Sequence, residues 1–320
     1  MRPRDKEEAE RIDAVLADFH VQTRPLPGIQ DPARRAAFLE QLLESIHRVE
    51  YIRRGVLYRG DEPRLLNARR ADPTSNLFDP IKGAALRARE GNHDEACWLV
   101  FLFTHFGKHL RTEYRLVRDI YSCLGEGPIW DWVRTSTDPE AFREWLATKL
   151  DTLENDGVGR HFGNHRKYIS LDPNSPGGTG QAIVTYVGWV SPHGNHAALF
   201  ENAAEIAAQD QLRTFDYLYR SMNVVASFGR TGRLDYLTML GKLGLAAIQP
   251  GSTYMTGATG PLTGAKLLFG DAAEMTKPKQ VDGWLVKLEA ALGLEMGMQI
   301  LEDSLCNWQK SPAKFIAFRG

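Results

Sequence analysis

Two glycine-bearing segments stand at the start of helical patterns, where backbone amides can bind anions. The first is Phe228-Gly229-Arg230-Thr231-Gly232-Arg233, which joins two stretches of helical periodicity. Amides at a helix start point outward, and the helix dipole favours negative charge there. Two guanidinium groups add donors for phosphate oxygens. The segment predicts a helix-hairpin-helix element that binds a DNA backbone through Gly229, Arg230, Gly232 and Arg233. An ordinary helix–helix corner with solvated arginines is the alternative.

The second segment carries three glycines in eight residues, Gly257, Gly260 and Gly264, before another helical run. Glycine permits close backbone approach to a ligand, and the amides of that helix could hold an anion. We therefore predict a base or phosphate pocket formed by Gly257, Thr259 and Gly260, although a plain helix start fits equally well. The segment matches neither a dinucleotide fingerprint nor a Walker A loop. No cofactor is predicted.

The last helical pattern places polar residues beside its core stripe. Asp303 and Asn307 share a face one turn apart, Cys306 lies beside them, and Lys310 follows. A carboxylate in a pocket wall could stabilise positive charge developing on a sugar or act as a base. Asp303 and Asn307 are therefore candidate catalytic residues. An ordinary Asp–Lys pair on a half-exposed helix is the alternative.

Histidines and mixed cationic–aromatic residues give further candidates. His105 is assigned to the predicted pocket, although its very apolar helix is also typical of a hydrogen-bonded core histidine. Neither His105 with His109 nor His161 with His165 has the glutamate or third ligand of a zinc site, so no metal is predicted. Residues 162–168 suit base stacking and phosphate pairing. Candidate DNA-binding residues there are His165, Arg166 and Lys167.

The elements that must position these residues are nearly all helical, so the predicted fold class is all-α. Asp31-Pro32 begins a long helix toward Gly55, and residues 96–103 form a run that is apolar on all sides, as in a central core helix. The loop near 156–178 is the predicted seam between two halves. Further helices are predicted at 112–123, 138–154, 179–190, 195–208, 211–223, 233–244, 279–292 and 295–310.

Composition limits the classes of function. The 320 residues carry a net charge of −1, which argues mildly against a nucleic-acid partner, but basic residues cluster at 53–70, 108–118 and 160–167. Three scattered cysteines exclude a disulfide framework and a compact thiolate metal site. The sequence has no apolar run of membrane-spanning length, and its first residues are charged. We therefore expect a cytoplasmic protein with no membrane partner.

Taken together, these motifs make the chain resemble the α-glutamyl/putrescinyl thymine pyrophosphorylase family, also called amino acid:DNA transferases, an offshoot of the helix-hairpin-helix DNA glycosylase superfamily. The similarity covers roughly residues 40–320. Its blocks are 98–108, 162–168, 228–236, 257–265 and 301–310.

The resemblance implies a helix-hairpin-helix glycosylase-like fold of two helical lobes with a central cleft, into which a base is flipped. Residues 41–320 would form this domain, and residues 1–40 an N-terminal helical extension. The superfamily pattern also implies a catalytic aspartate about two dozen residues after the hairpin, but 252–257 contains none. Asp303 is the candidate replacement, followed by Asp282 and Asp235.

Three functions compete. The leading expectation is a monofunctional DNA glycosylase that hydrolyses the N-glycosidic bond of a modified phage-type pyrimidine and leaves an abasic site. This reaction needs no cosubstrate, and it would suit antiviral defence. The alternative is a transferase in which an amino acid or putrescine displaces pyrophosphate from an activated hydroxymethyl-thymine; it better explains the missing aspartate. The third is a noncatalytic DNA-binding protein. In each, the predicted partner is DNA, and for the enzymes double-stranded DNA with a modified base.

Overall fold

The computed structural model describes residues 5–56, 58–59, 62–63, 66–163, 166 and 169–317, and it is all-α, as predicted. The only β-structure in these ranges is an antiparallel pair of two-residue strands, β1 (Tyr58–Arg59) and β2 (Glu62–Pro63), and two isolated bridges. In chain order the α-helices are α1 (Lys6–Gln22), α2 (Pro32–Glu50), α3 (Pro80–Arg89), α4 (His93–Phe106), α5 (Arg115–Tyr121), α6 (Trp132–Thr137), α7 (Pro139–Asn155), α8 (Thr179–Val190), α9 (His196–Ile206), α10 (Gln211–Ser221), α11 (Arg230–Lys242), α12 (Gly260–Phe269), α13 (Asp271–Glu274), α14 (Pro278–Leu292) and α15 (Gly297–Trp308).

Side-chain caps explain where many helices begin. Asp31 accepts a hydrogen bond from the amide of Arg34, and Asp79 accepts from the amides of Ile81 and Lys82. Each cap precedes a proline, whose fixed backbone angle suits the first helical position. The predicted helix start at Asp31 is therefore confirmed, and α2 continues as a π-helical segment over Tyr51–Gly55.

Contacts divide the chain into two compact units. Described residues up to Ile52 and from Pro250 onward form the first unit, and the segment from Arg53 to Gln249 forms the second. The described part of the predicted extension, residues 5–40, belongs to the first unit. The predicted seam near 156–178 lies inside the second unit. The lobes with a central cleft stay a prediction.

The first unit has a core of aliphatic and aromatic side chains from α1, α2, α12, α14 and α15. Phe38 and Trp308 are buried in it, with their ring centroids 4.9 Å apart. The second unit is built around α4, whose residues from Ala96 to Leu102 are buried on every side, as predicted. Phe101 of α4 stacks on Tyr186 at 3.8 Å and on Phe228 at 4.9 Å. None of the helices in the described ranges combines the length and apolarity needed to cross a membrane.

Glu95, in the first turn of α4, is a buried carboxyl group with two donors. It accepts hydrogen bonds from the amide of Trp132 at 2.6 Å and from the hydroxyl of Tyr121. Burial, the largest influence, raises the pKa of Glu95 to about 7, against the lowering effect of these two hydrogen bonds. The folded protein therefore favours the protonated form.

We expect the stability of the protein to fall between pH 4.5 and pH 7. In the unfolded chain the carboxyl group of Glu95 titrates near 4.5, so between pH 4.5 and pH 7 the folded state binds the extra proton. The contribution of protonated Glu95 to the free energy of unfolding is therefore fully present below pH 4.5 and is lost as the pH rises to 7. The loss is at most roughly 3 kcal/mol. Glu95→Gln should flatten this dependence in urea unfolding at pH 5 and pH 7.5. Parallel pH curves for the two proteins would contradict the assignment.

Candidate functional site

The hairpin predicted between residues 211 and 244 is present as α10 and α11. α11 begins after Gly229 without a side-chain cap, so the amides of its first turn have no partner within the helix. The turn does not depend on glycine: the left-handed residue is Ser227, with φ of 62°, whereas neither Gly229 nor Gly232 has positive φ. The Ser227 hydroxyl donates to the carbonyl of Gly177 and fastens the turn.

The two arginines of this hairpin have different surroundings. The guanidinium of Arg233 lies 4.4 Å from the ring centroid of Tyr219 and donates to the Tyr219 carbonyl at 3.1 Å. Arg233 therefore ties α11 to α10. Arg230 is partly exposed at the first position of α11, beside the open amides. Of the two, Arg230 is better placed to reach a phosphate.

Arg166 is bound within the second unit. Its Nε donates to the Thr104 carbonyl at 2.5 Å, and its Nη2 donates to Asp235 Oδ2 at 2.9 Å. Only 11% of its side chain is exposed. Arg166 thus joins its loop to α4 and α11, and Asp235 is its ion-pair partner. The other two candidates in this segment, His165 and Lys167, lie outside the described residues.

His105, assigned to the pocket, is completely buried in the second unit. The Thr179 hydroxyl donates to the Ser170 carbonyl at 2.9 Å, so it accepts from His105 Nε2 at 3.0 Å. Burial, and to a lesser extent the charge of Arg166, lowers the pKa of His105 to about 3. His105 is therefore a neutral core histidine, the alternative stated for it above, and it lines no exposed surface.

Asp282 anchors the loop that follows residue 250. Its Oδ2 accepts from the Ser252 hydroxyl at 2.6 Å, and its Oδ1 accepts from the Thr253 amide at 2.9 Å and from the Thr253 hydroxyl. The Asp282 carboxylate, carried by α14, thus contacts Ser252 and Thr253. These two residues belong to the segment in which the superfamily pattern implies an aspartate and this sequence has none. These contacts give Asp282 a structural task, and its catalytic role stays a prediction.

Two of the three glycines after this loop serve helix packing. A Cβ at Gly260 would lie 2.9 Å from Cys306 Sγ, and a Cβ at Gly264 would lie 2.2 Å from the Leu305 carbonyl oxygen. The glycines therefore let α12 approach α15 closely, a role that the sequence analysis missed. Gly257 has φ of 79° and forms a turn. The side chain of Thr259, the exposed N-cap residue, leaves the first amides of α12 uncapped.

Asp303 is the centre of a polar cluster in the first unit. Its Oδ2 accepts hydrogen bonds from the Ser45 hydroxyl at 2.6 Å and from the Arg48 guanidinium. Asn307 Nδ2 donates to Asp303 Oδ1 at 3.0 Å, and Lys310 Nζ donates to Asn307 Oδ1 at 3.1 Å. We call these five residues the Asp303 cluster. The predicted polar line on α15 is a connected network, and 31% of the Asp303 side chain is exposed.

In the cluster, Arg48 is shared between two carboxylates, because it also donates to Glu44 Oε1 at 2.9 Å, and Lys310 is the second cation. Ser45 and Arg48 lie on α2, more than 250 residues before their partner, and the sequence analysis did not single them out. Their three-residue spacing on one helix face was the available signal. Because Cys306 of α15 contacts Gly260, the two predicted site segments lie on neighbouring helices. Such a site can bind an ammonium group at Asp303 and an anion at Lys310 and the open amides.

Comparison with known proteins overturns the leading functional expectation. Residues 33–320 match the family model described as alpha-glutamyl/putrescinyl thymine pyrophosphorylase clade 3. No curated protein and no solved structure matches the chain. The expectation of a hydrolytic DNA glycosylase was wrong, because the family name denotes a pyrophosphorylase of the transferase type. The chain belongs to the α-glutamyl/putrescinyl thymine pyrophosphorylase family.

Proposed function

We propose that the protein transfers an amino acid or putrescine to an activated hydroxymethyl-thymine base in DNA. The family match over residues 33–320 carries this proposal. In the reaction the amine nitrogen forms a bond to the exocyclic carbon of the base, and the bond from that carbon to the pyrophosphate oxygen breaks. Pyrophosphate leaves, and the attacking nitrogen loses a proton to a proton-accepting group of the protein.

The Asp303 cluster has the groups that this reaction needs. Asp303 Oδ1 accepts one hydrogen bond from a described side chain, that of Asn307. A carboxylate oxygen can accept a second hydrogen bond, here from a substrate ammonium group. Lys310 supplies positive charge, and the first amides of α12 supply further donors, whereas Arg48 is held by Asp303 and Glu44. Donors of this kind stabilise the charge that develops on a leaving pyrophosphate. The same carboxylate can take the amine proton.

The direct test uses duplex DNA that carries pyrophosphorylated 5-hydroxymethyluracil. Putrescine, glutamate or another amino acid is added, and the DNA mass and released pyrophosphate are measured. We expect the DNA mass to change by the mass of the added amine minus that of the pyrophosphoric acid that leaves, with one pyrophosphate released for each modified base. Intact pyrophosphorylated DNA after incubation with every amine would contradict the proposal.

Asp303→Asn is expected to lower the transfer rate roughly 100-fold, the usual range for losing a proton-transfer group. Asparagine keeps the size of the side chain but removes its charge, so unchanged circular dichroism should accompany the loss. Asp18→Asn, an exposed carboxyl change on α1, is the matched control and should leave the rate unchanged. Equal rates for Asp303→Asn and the native protein would remove Asp303 from the reaction.

Arg230→Ala is expected to weaken DNA binding and to reduce its salt dependence by about one counterion. The guanidinium beside the open amides of α11 is the group that the hairpin offers to a phosphate. Arg213→Ala, at the other end of α10 with 76% of the side chain exposed, is the matched control. Fluorescence anisotropy between low and moderate salt measures both. Identical salt slopes for the two variants would remove the hairpin assignment.

A further inference from the structure

The chain that leaves α4 forms a tight turn beside an exposed pocket of about 320 Å³. His109 and Glu113 close the turn with two backbone hydrogen bonds, of 3.0 and 2.9 Å. The proposed transfer reaction uses none of the residues around this pocket. The pocket is lined by His109, Leu110, Arg111, Thr112 and His161.

The turn fixes which nitrogen of His109 carries the proton. Nδ1 accepts hydrogen bonds from the Thr112 amide at 3.2 Å and from the Arg111 amide at 3.4 Å, and it lies 3.0 Å from the Thr112 hydroxyl. Because Nδ1 is an acceptor, the neutral ring carries its proton on Nε2. Desolvation, followed by the charges of His161 and Arg111, lowers the pKa of His109. His109 therefore offers a fixed N–H donor.

The second imidazole of the pocket lies flat against the first. The ring centroids of His109 and His161 are 4.7 Å apart, with 27° between the planes. Stacked rings direct their nitrogens side by side, whereas two ligands of one zinc ion must converge on it at about 2 Å. The arrangement therefore does not suit metal chelation, and it presents polar ring edges to a ligand.

Carboxylates near this turn are already neutralised. Arg160 binds Asp119 and Asp156, each at 2.7 Å, and Lys108 lies 3.6 Å from Glu113. The pocket lining itself contains no carboxylate. Arg111 is exposed, and among the described residues its guanidinium has no ion-pair partner. The lining thus combines the positive charge of Arg111 and two imidazole edges with the exposed side chain of Leu110.

We propose that this pocket binds a phosphate group, through the Arg111 guanidinium, His109 Nε2–H and the edge of His161. Donor-rich sites that combine arginine with fixed N–H groups select phosphate oxygens. The phosphate belongs either to a DNA backbone or to free pyrophosphate. Binding here does not rest on the proposed transfer reaction, and a failed transfer assay leaves it unaffected.

The test follows the ring nitrogens of His109 and His161 by NMR in the ¹⁵N-labelled full-length protein. Inorganic pyrophosphate is titrated in one experiment and a short thymidine oligonucleotide in another. We expect saturable shifts of both rings with at least one of them, and none with thymidine nucleoside, which has no phosphate. A response to the oligonucleotide alone identifies a backbone site, and a response to pyrophosphate alone identifies a site for the free anion.

Variants separate this site from general charge attraction. Arg111→Gln should weaken binding about tenfold, as expected for the loss of a charge-assisted contact. Arg115→Gln removes a nearby exposed arginine outside the lining and should have no such effect. His109→Asn keeps an acceptor for the turn amides but is too short to place a donor at the position of Nε2, so it should weaken binding while the Arg111 and Thr112 amide signals persist.

Three results would overturn the proposal. The first is the absence of ring shifts with both phosphate sources. The second is an equal shift with thymidine nucleoside, which would assign the contact to the base. The third is equal weakening by Arg111→Gln and Arg115→Gln, which would assign it to the overall charge of the surface.

Discussion

Replacing His196 with alanine is expected to lower the free energy of unfolding by about 4 kcal/mol. His196 lies on α9 and is fully buried. Its Nδ1 donates to Asp94 Oδ1 at 2.6 Å, which leaves Nε2 to accept from the Tyr186 hydroxyl at 2.7 Å. The Tyr186 oxygen then accepts from Tyr236 at 2.7 Å. Alanine would leave a cavity and a buried hydroxyl without its acceptor.

The direction of this chain of hydrogen bonds gives the prediction a second test. Tyr236 is only a donor at the end of the chain, so Tyr236→Phe should cost about 1 kcal/mol. Tyr186→Phe should cost more, because it leaves both His196 Nε2 and the Tyr236 hydroxyl without their partner. His193→Ala, a partly exposed histidine before α9, is the control and should change stability by less than about 0.5 kcal/mol. Urea unfolding measures all four variants, and a larger loss in Tyr236→Phe than in Tyr186→Phe would contradict the direction.

Gly264→Ala is expected to destabilise the first unit by about 3 kcal/mol, the upper part of the usual range for overpacking. The new Cβ would lie 2.2 Å from the Leu305 carbonyl oxygen and 2.7 Å from its carbon. Both atoms belong to the backbone of α15, so no side-chain rotation relieves the clash. α12 would have to move away from α15, with loss of packing along both helices.

Gly283→Ala is the matched control for this substitution. Gly283 is also inside a helix, α14, but a Cβ there would meet no atom within 4 Å. Alanine has the higher helix propensity, so this variant should gain about 0.5–1 kcal/mol. The two substitutions should therefore move the unfolding midpoint in opposite directions. A stabilising effect of both would mean that the two helices do not pack as closely as described.

Features that depend on local sequence were predicted well. The uninterrupted apolar run from Ala96 identified α4 as a core helix, and Asp31-Pro32 identified a helix start. The Asp303–Asn307–Lys310 line was also predictable, because helical spacing alone makes these residues neighbours. In each case the pattern and the geometry lie within one element.

Features that depend on contacts between distant segments were not predictable. Nothing near Asp303 in the sequence indicates that Ser45 and Arg48 bind it. Gly260 and Gly264 were interpreted as ligand-binding glycines, because the sequence does not reveal that α15 packs against them. The His109–His161 stack likewise depends on two loops meeting.

The functional expectation failed for a related reason. Phosphate-binding amides and arginines serve any protein that acts on DNA, so the hairpin residues do not distinguish hydrolysis from transfer. The absence of an aspartate at 252–257 favours the transferase, whereas the lack of a cofactor motif is compatible with both reactions. A transferase whose second substrate is a small amine needs no such motif.

The division of the chain also has a consequence for biosynthesis. The first unit combines residues before 53 with residues after 249, whereas the second is one continuous segment. During translation, α1 and α2 leave the ribosome long before α12, α14 and α15, which complete their core. Because the second unit is continuous, we expect that it can fold while synthesis continues, whereas the apolar faces of α1 and α2 stay uncovered until α12, α14 and α15 have been made.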